Sequence, residues 1–158
     1  MPNLRSDVSA ALLKHGFRRA DSIHKKQVDH EWSYWVDTGP IGKGNDVAPF
    51  AGIRHEGVEA LVGEMLGLGD DDVAVGTIAR LFHLKGHDDL LDQAPTLCAR
   101  FPRLRFLWVG DGILRPQFES RIAAMGLKDR FILTGLVPPA RIPELAGAMD
   151  ILVHPYWL

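Results

Sequence analysis

At 158 residues the chain is the size of one ordinary domain, with 46% apolar and 24% charged residues and a formal net charge of -2, so it can bury a real core and lacks the bulk positive charge of a nucleic-acid binder. Cys98 is the only cysteine, which rules out an intrachain disulfide and a disulfide-built secreted scaffold. The start, MPNLRSDVSAALLKHGF, has an apolar patch broken by Asp7 and no signal-peptide stretch, and no apolar run approaches the ~18 residues that span a bilayer. The expectation is a cytoplasmic soluble protein, compatible with peripheral attachment to a membrane, in which any anion site is local.

In chain order, the first 70 residues show little rhythm. Val8 to Lys14 and Val58 to Leu66 read as helices, and Gly39 to Asn45 (GPIGKGN) reads as a glycine-rich connector between them. This places a poorly defined segment and linker at 1–46 and a folded domain at 47–158. The lysine in GPIGKG is not followed by Ser or Thr, so the phosphate-loop pattern is missed. Glu31 to Trp35 (EWSYW) has the aromatics to stack on a sugar or base, although such residues more often fill a core. His15, His24 and His30 have no compact ligand spacing.

From Asp72 onward a unit repeats. Val73 to Ala79 (VAVGTIA), Arg105 to Val109 (RFLWV), Phe131 to Thr134 (FILT) and Ile151 to His154 (ILVH) are short β-prone runs suited to a sheet buried on both faces. Between them lie helical stripes. Leu90, Leu91, Ala94, Leu97, Cys98 and Phe101 share one face, with Pro95 predicted to kink or restart that helix. Leu114, Phe118, Ile122 and Met125 form a second stripe closed by Gly126 as its C′ residue. Ile142, Leu145, Ala146 and Met149 form a third after Pro138 and Pro139. Strand and helix alternating in this way predict an α/β fold, a Rossmann-like parallel sheet with flanking helices.

In such a sheet ligands bind at the carboxyl ends of the strands. Arg80 follows the first strand, and Lys85 precedes Gly86 and the next helix. A helix N-terminus offers unpaired N–H groups and about half a positive charge, so an anion there would meet backbone donors, a guanidinium fork and an ammonium together. A diphosphate suits the arrangement; on spacing alone the competing reading is of two solvated cations paired with Asp88 or Asp89. Gly110, Asp111 and Gly112 (VGDG) end the second strand, where glycines permit close approach of a ligand and Asp111 is placed to cap a helix beginning near Ile113. Leu136 and Val137 (TGLV) end the third strand, where backbone groups are available to the edge of a base or simply turn the chain. His83 and His87 are four apart, but Gly86 between them argues against the continuous helix that a metal pair of this spacing uses.

The ordered set GTIARLFHLKGHDDLL, FLWVGDGILRPQFE and RFILTGLVPPARIPELAGAMDILVHP resembles the C-terminal, nucleotide-sugar-binding half of the retaining group 1 glycosyltransferases, over about residues 48 to 155. The resemblance implies the GT-B fold, in which two Rossmann-like domains face each other, the second holding the donor and the first the acceptor. It implies that Arg80 and Lys85 hold the donor diphosphate and stabilise the leaving group, that Gly110 to Gly112 line the nucleotide side, and that Leu136 and Val137 contact the base through the backbone. No metal or other cofactor is then required; the donor is a nucleoside diphosphate sugar, a UDP-sugar foremost, and the acceptor a glycan, lipid or small molecule. Nucleic acid is not an expected partner, and peripheral membrane association would fall to the acceptor domain.

The sequence departs from the family where two carboxylates eight positions apart are expected after the strand ending in Val153-His154-Pro155, since Tyr156-Trp157-Leu158 stand there. Residues 1–47 supply no full acceptor domain. The expectation is a fragment without turnover of its own; the alternatives are a noncatalytic nucleotide-binding or regulatory α/β module, and an interaction fragment pairing through its sheet edge and Tyr156-Trp157.

Overall fold

The computed structural model describes residues 4–14, 17–19, 22–28, 31–37, 45–48, 58–83 and 85–154. The linker at 39–44, His15, His30 and Tyr156-Trp157 lie outside them.

Helix α1 (Leu4–Lys14) leads into strand β1 (Phe17–Arg19), a hairpin of β2 (Ser22–Val28) and β3 (Glu31–Asp37), strand β4 (Asn45–Ala48) and helix α2 (Val58–Met65). The EWSYW run forms most of β3, paired antiparallel to β2 from Val28↔Glu31 out to Ser22↔Asp37. The repeating part follows as β5 (Val73–Ile78), α3 (His87–Arg100), β6 (Leu104–Val109), α4 (Arg115–Ala124), β7 (Phe131–Leu133), α5 (Ile142–Gly147) and β8 (Ile151–His154). Single 3₁₀ turns precede β7 and α5.

The main sheet has the order β1-β4-β8-β5-β6-β7. Its four strands β8, β5, β6 and β7 are parallel, which is the arrangement predicted from the four apolar runs. Beyond them β4 runs antiparallel to β8, and β1 parallel to β4. The domain boundary expected near residue 46 thus falls within β4.

Side chains of the pleat separate into two cores. On one face Val73, Val75, Leu104, Phe106, Trp108, Ile151 and Val153 pack with Val8 and Leu12 of α1, with Leu90, Leu91, Ala94 and Leu97 of α3 and with Phe118 and Ile122 of α4. On the other, Leu107 and Val109 pack with Val62 of α2, Leu145 of α5 and Met149. Helix α3, which follows β5, packs on one face and α5, which precedes β8, on the other, so the strand order reverses between β8 and β5, and in open α/β sheets ligands bind outside the carboxyl ends of the strands at such a switch point. Arg80 follows the carboxyl end of β5.

The first core is centred on Trp108, fully buried. Its ring meets Phe118 edge-on at 5.4 Å, Phe131 at 5.2 Å and His87 at 4.8 Å, while Phe106 stacks on Phe131 at 4.5 Å; each such pair adds about 0.5–1.5 kcal/mol beyond the area it buries. Helix α4 ends as predicted on Gly126, whose φ is 70°. The Gly126 and Leu127 N–H groups donate to the carbonyls of Ala123 and Ile122, both at 3.0 Å, which is the Schellman pattern.

Pro95 does not restart the helix. Helix α3 runs unbroken from His87 to Arg100 with the proline inside it. The ring lies on the exposed side, and the buried residues on either side of it, Leu90 and Leu91 before and Leu97 and Cys98 after, hold the helix through the missing hydrogen bond. Among the described residues no helix is long and apolar enough to cross a membrane.

Two substitutions test this account of the core. Trp108→Ala is expected to cost roughly 3–5 kcal/mol in urea denaturation. Arg141→Ala, which removes an exposed pair with Glu144 at 2.6 Å, is expected to cost less than about 1 kcal/mol.

Candidate functional site

Three loops meet at the carboxyl edge of the parallel strands: 79–86 after β5, 110–114 after β6 and 134–138 after β7. The first two are joined backbone to backbone. Ala79 N–H donates to Val109 C=O at 3.1 Å, Leu81 N–H to Asp111 C=O at 3.0 Å and Leu114 N–H to Leu81 C=O at 3.1 Å, so the β5–β6 ladder continues past both strand ends. The approach is too close for any side chain. A Cβ on Gly110 would stand 2.2 Å from the Ala79 carbonyl oxygen, and one on Gly112 would stand 2.1 Å from that of Leu81. Gly110 also has φ 137°, a conformation that side-chain-bearing residues rarely adopt. The glycines of VGDG are therefore required by the neighbouring loop.

The third loop joins through a bridge between Gly110 and Gly135 and through Thr134 N–H donating to Trp108 C=O at 3.1 Å. Arg115, which the sequence reading overlooks, ties the set together. Its Nε donates to Glu119 at 2.7 Å, and its two terminal nitrogens donate to Asp111 Oδ2 and to Leu133 C=O, each at 3.4 Å. The hydrogen bond to Glu119 is the largest influence raising the already high pKa of this guanidinium. The repeat Asp111, Arg115, Glu119 at steps of four was the signal available in the sequence.

Asp111 does not cap a helix. Helix α4 begins at Arg115, its first turn has no side-chain cap, and the Asp111 carboxylate turns back onto the loop, where Oδ1 accepts from Gly112 N–H at 2.8 Å. Three residues intervene between Asp111 and Arg115, so Asp111 does not stand at the N-cap position, from which a short side chain reaches the first free N–H groups.

Against this frame the predicted cations sit as follows. Arg80 is exposed, forms no ion pair among the described residues, and holds its guanidinium carbon 5.7 Å from the centre of the Phe82 ring. Lys85 is half-buried and immediately precedes Gly86, the left-handed N-cap of α3 with φ 66° and no side-chain cap. Asp88, one of the carboxylates that competed for these cations, is taken by Arg121, which forks between Asp88 and Asp92 at 2.5 Å each. Leu136 is 85% exposed, and Val137 packs against the second core.

The histidines are not brought together on a helix. His87 is buried at the start of α3 against Trp108 and Phe118, and His83 is exposed in the loop before it. Among the described residues no group of three or more His, Cys, Asp or Glu side chains is placed to hold a metal ion. Cys98 is buried in the first core, and burial pushes its thiol pKa up against a smaller opposing pull from Arg130 and Arg105; the thiol is a packing group.

Residues 72–157 match the family described as Glycosyl transferases group 1, more than half of the chain, and the chain belongs to that family. It is 36% identical to the 2-deoxystreptamine N-acetyl-D-glucosaminyltransferase of Streptomyces fradiae over 122 residues, which are 76% of this chain and 28% of that protein. Among solved structures it resembles WaaG, a glycosyltransferase involved in lipopolysaccharide biosynthesis, with a TM-score of 0.56 at 18% identity, covering 66% of this chain and 28% of that one. It also resembles HepE of Anabaena, solved in complex with UDP, with a TM-score of 0.52 at 24% identity, covering 66% of this chain and 30% of that one. The chain thus spans less than a third of the length of each. Its Rossmann-like sheet is that of a GT-B glycosyltransferase half.

Substitution of the loop glycines should separate site from scaffold. Gly112→Ala forces backbone apart and is expected to cost about 1–3 kcal/mol of stability while weakening nucleotide binding. Gly126→Ala, with φ 70° but open space around it, is expected to cost about 1–2 kcal/mol and leave binding unchanged. Urea midpoints and calorimetric titration read the two effects. For Cys98, thiol labelling at neutral pH should be slow in the native chain and fast in urea.

Proposed function

We propose that this chain is the donor-binding portion of a glycosyltransferase that moves a sugar from a nucleoside diphosphate sugar to an acceptor with retention of configuration. Arg80 and Lys85 hold the diphosphate at the N-terminus of α3. The observation that carries this reading is an exposed guanidinium without a carboxylate partner among the described residues, on a loop whose backbone is fixed by the glycines of VGDG. As the glycosidic bond to the diphosphate breaks, negative charge grows on the leaving oxygens, and cations already in place stabilise that charge without reorganising. These two side chains can supply the charge that a metal ion supplies in other phosphate-transferring sites.

The nucleotide lies along 110–112 and reaches Leu136 and Val137, where the exposed turn offers backbone groups to the base. The UDP bound to HepE makes uridine the base to test first. Residues 47–158 act as the donor unit in this reading, and the acceptor, a glycan, lipid or small molecule, is bound elsewhere in the transferase. The 158-residue chain alone binds donor without transferring sugar, because the residues assigned here reach the diphosphate and base but not an acceptor.

The test is calorimetric titration of UDP, GDP and ADP into the chain and into Arg80→Ala and Lys85→Ala. Each lost charge-assisted hydrogen bond, about 1.5–3 kcal/mol, should weaken UDP binding about ten- to a hundredfold. Equal affinity in all three proteins would contradict the proposal.

A further inference from the structure

No carboxylate among the described residues pairs with Arg80, and its guanidinium stands instead over the ring of Phe82. Leu81 anchors the loop: its side chain is fully buried, its N–H donates to Asp111 C=O and its C=O accepts from Leu114 N–H. The residues on either side of it are exposed. Phe82 N–H donates to Arg80 C=O at 2.8 Å, a turn folded tightly around Leu81 that brings the two flanking side chains together. The guanidinium carbon of Arg80 then lies 5.7 Å from the centre of the Phe82 ring, within cation–π range. The His83 ring meets Phe82 edge-on at 5.9 Å and 75°.

We propose that Phe82 is a positioning residue for the diphosphate clamp, a role that rests on the assignment of Arg80 to the donor diphosphate. A guanidinium has two kinds of surface, a weakly hydrated face and five N–H donors in its plane. A carboxylate partner would occupy the in-plane donors and compete with the diphosphate for them. An aromatic ring takes the face and leaves the fork open for phosphate oxygens. It also restricts a long side chain before the ligand arrives, so that less rotamer freedom is lost on binding. Phe82 belongs to neither core and is 42% exposed; on a loop fixed by Leu81, its ring meets the Arg80 guanidinium and the His83 ring.

The experiment compares the chain with Phe82→Leu, Phe82→Tyr, Arg80→Ala and the double variant Arg80→Ala/Phe82→Leu, with UDP and uridine titrated into each and followed by NMR. Phe82→Leu should weaken UDP about two- to fivefold and leave uridine unchanged, Phe82→Tyr should restore UDP affinity, and Phe82→Leu should add nothing in the Arg80→Ala background. If Arg80→Ala itself leaves UDP affinity unchanged, the clamp assignment fails and this inference falls with it. If Arg80→Ala weakens UDP but Phe82→Leu does not, or Phe82→Leu weakens uridine equally, or its loss adds in full to that of Arg80→Ala, then Phe82 does not act through Arg80 and this inference alone is overturned.

Discussion

The site depends on one close contact, the backbone of Ala79 to Leu81 against that of Gly110 to Gly112. With carbonyl oxygens 2.1–2.2 Å from where a Cβ would stand, the two loops lie too close to admit a side chain between them. The parallel ladder of β5 and β6 is thereby carried beyond the strands into the loops, and the Gly110–Gly135 bridge extends it to a third. Leu81 fastens the assembly to the core that surrounds Trp108. An exposed polar loop is normally among the least stable parts of a domain; here it is held from beneath and its outer face stays open.

Electrostatics at this edge follow from which acids are already engaged. The formal net charge is -2, so an anion site needs local neutralisation of nearby carboxylates. Two like charges 4 Å apart near a surface repel by about 4 kcal/mol at an effective dielectric of 20, more than the roughly 1.5–3 kcal/mol gained from one charge-assisted hydrogen bond. An unpaired Asp111 would thus cancel a bound phosphate's contact with one cation. Its carboxylate is instead turned onto Gly112 N–H and Arg115, and Asp88 and Asp92 are turned onto Arg121. Arg115 and Arg121 neutralise the acids, and Arg80 keeps its donors for something else.

Much of this was legible in the sequence, and the parts that were not have physical causes. Near-continuous apolar runs and stripes at three and four residue steps gave β5 to β8, α3 and α4, because burial on two faces leaves a strong local pattern. Pro95 does not restart α3 because helix propensity is local, while the buried leucines that carry the helix past it come from packing. Asp111 misled because Asp before a helix usually caps it, and only the start of α4 at Arg115 shows the carboxylate to be engaged elsewhere. Strands β1 to β4 escaped notice because their pairing is non-local and their composition is mixed, although the alternation of Trp32, Tyr34 and Val36 in EWSYWVD was a readable strand signal. The role of the VGDG glycines was half visible: a glycine shows that something approaches closely, and here it is first of all a neighbouring loop.

Whether the three joined loops form one nucleotide site can be read from a map of backbone amide shifts as UDP is titrated into the ¹⁵N-labelled chain. The largest changes should fall at residues 79–87, 110–112 and 135–137, on the three joined loops, and should disappear together in Arg80→Ala at the same UDP concentration. Changes centred on the amino ends of the strands or on the β2–β3 hairpin, or saturable binding that leaves the three loops unshifted, would contradict a shared site.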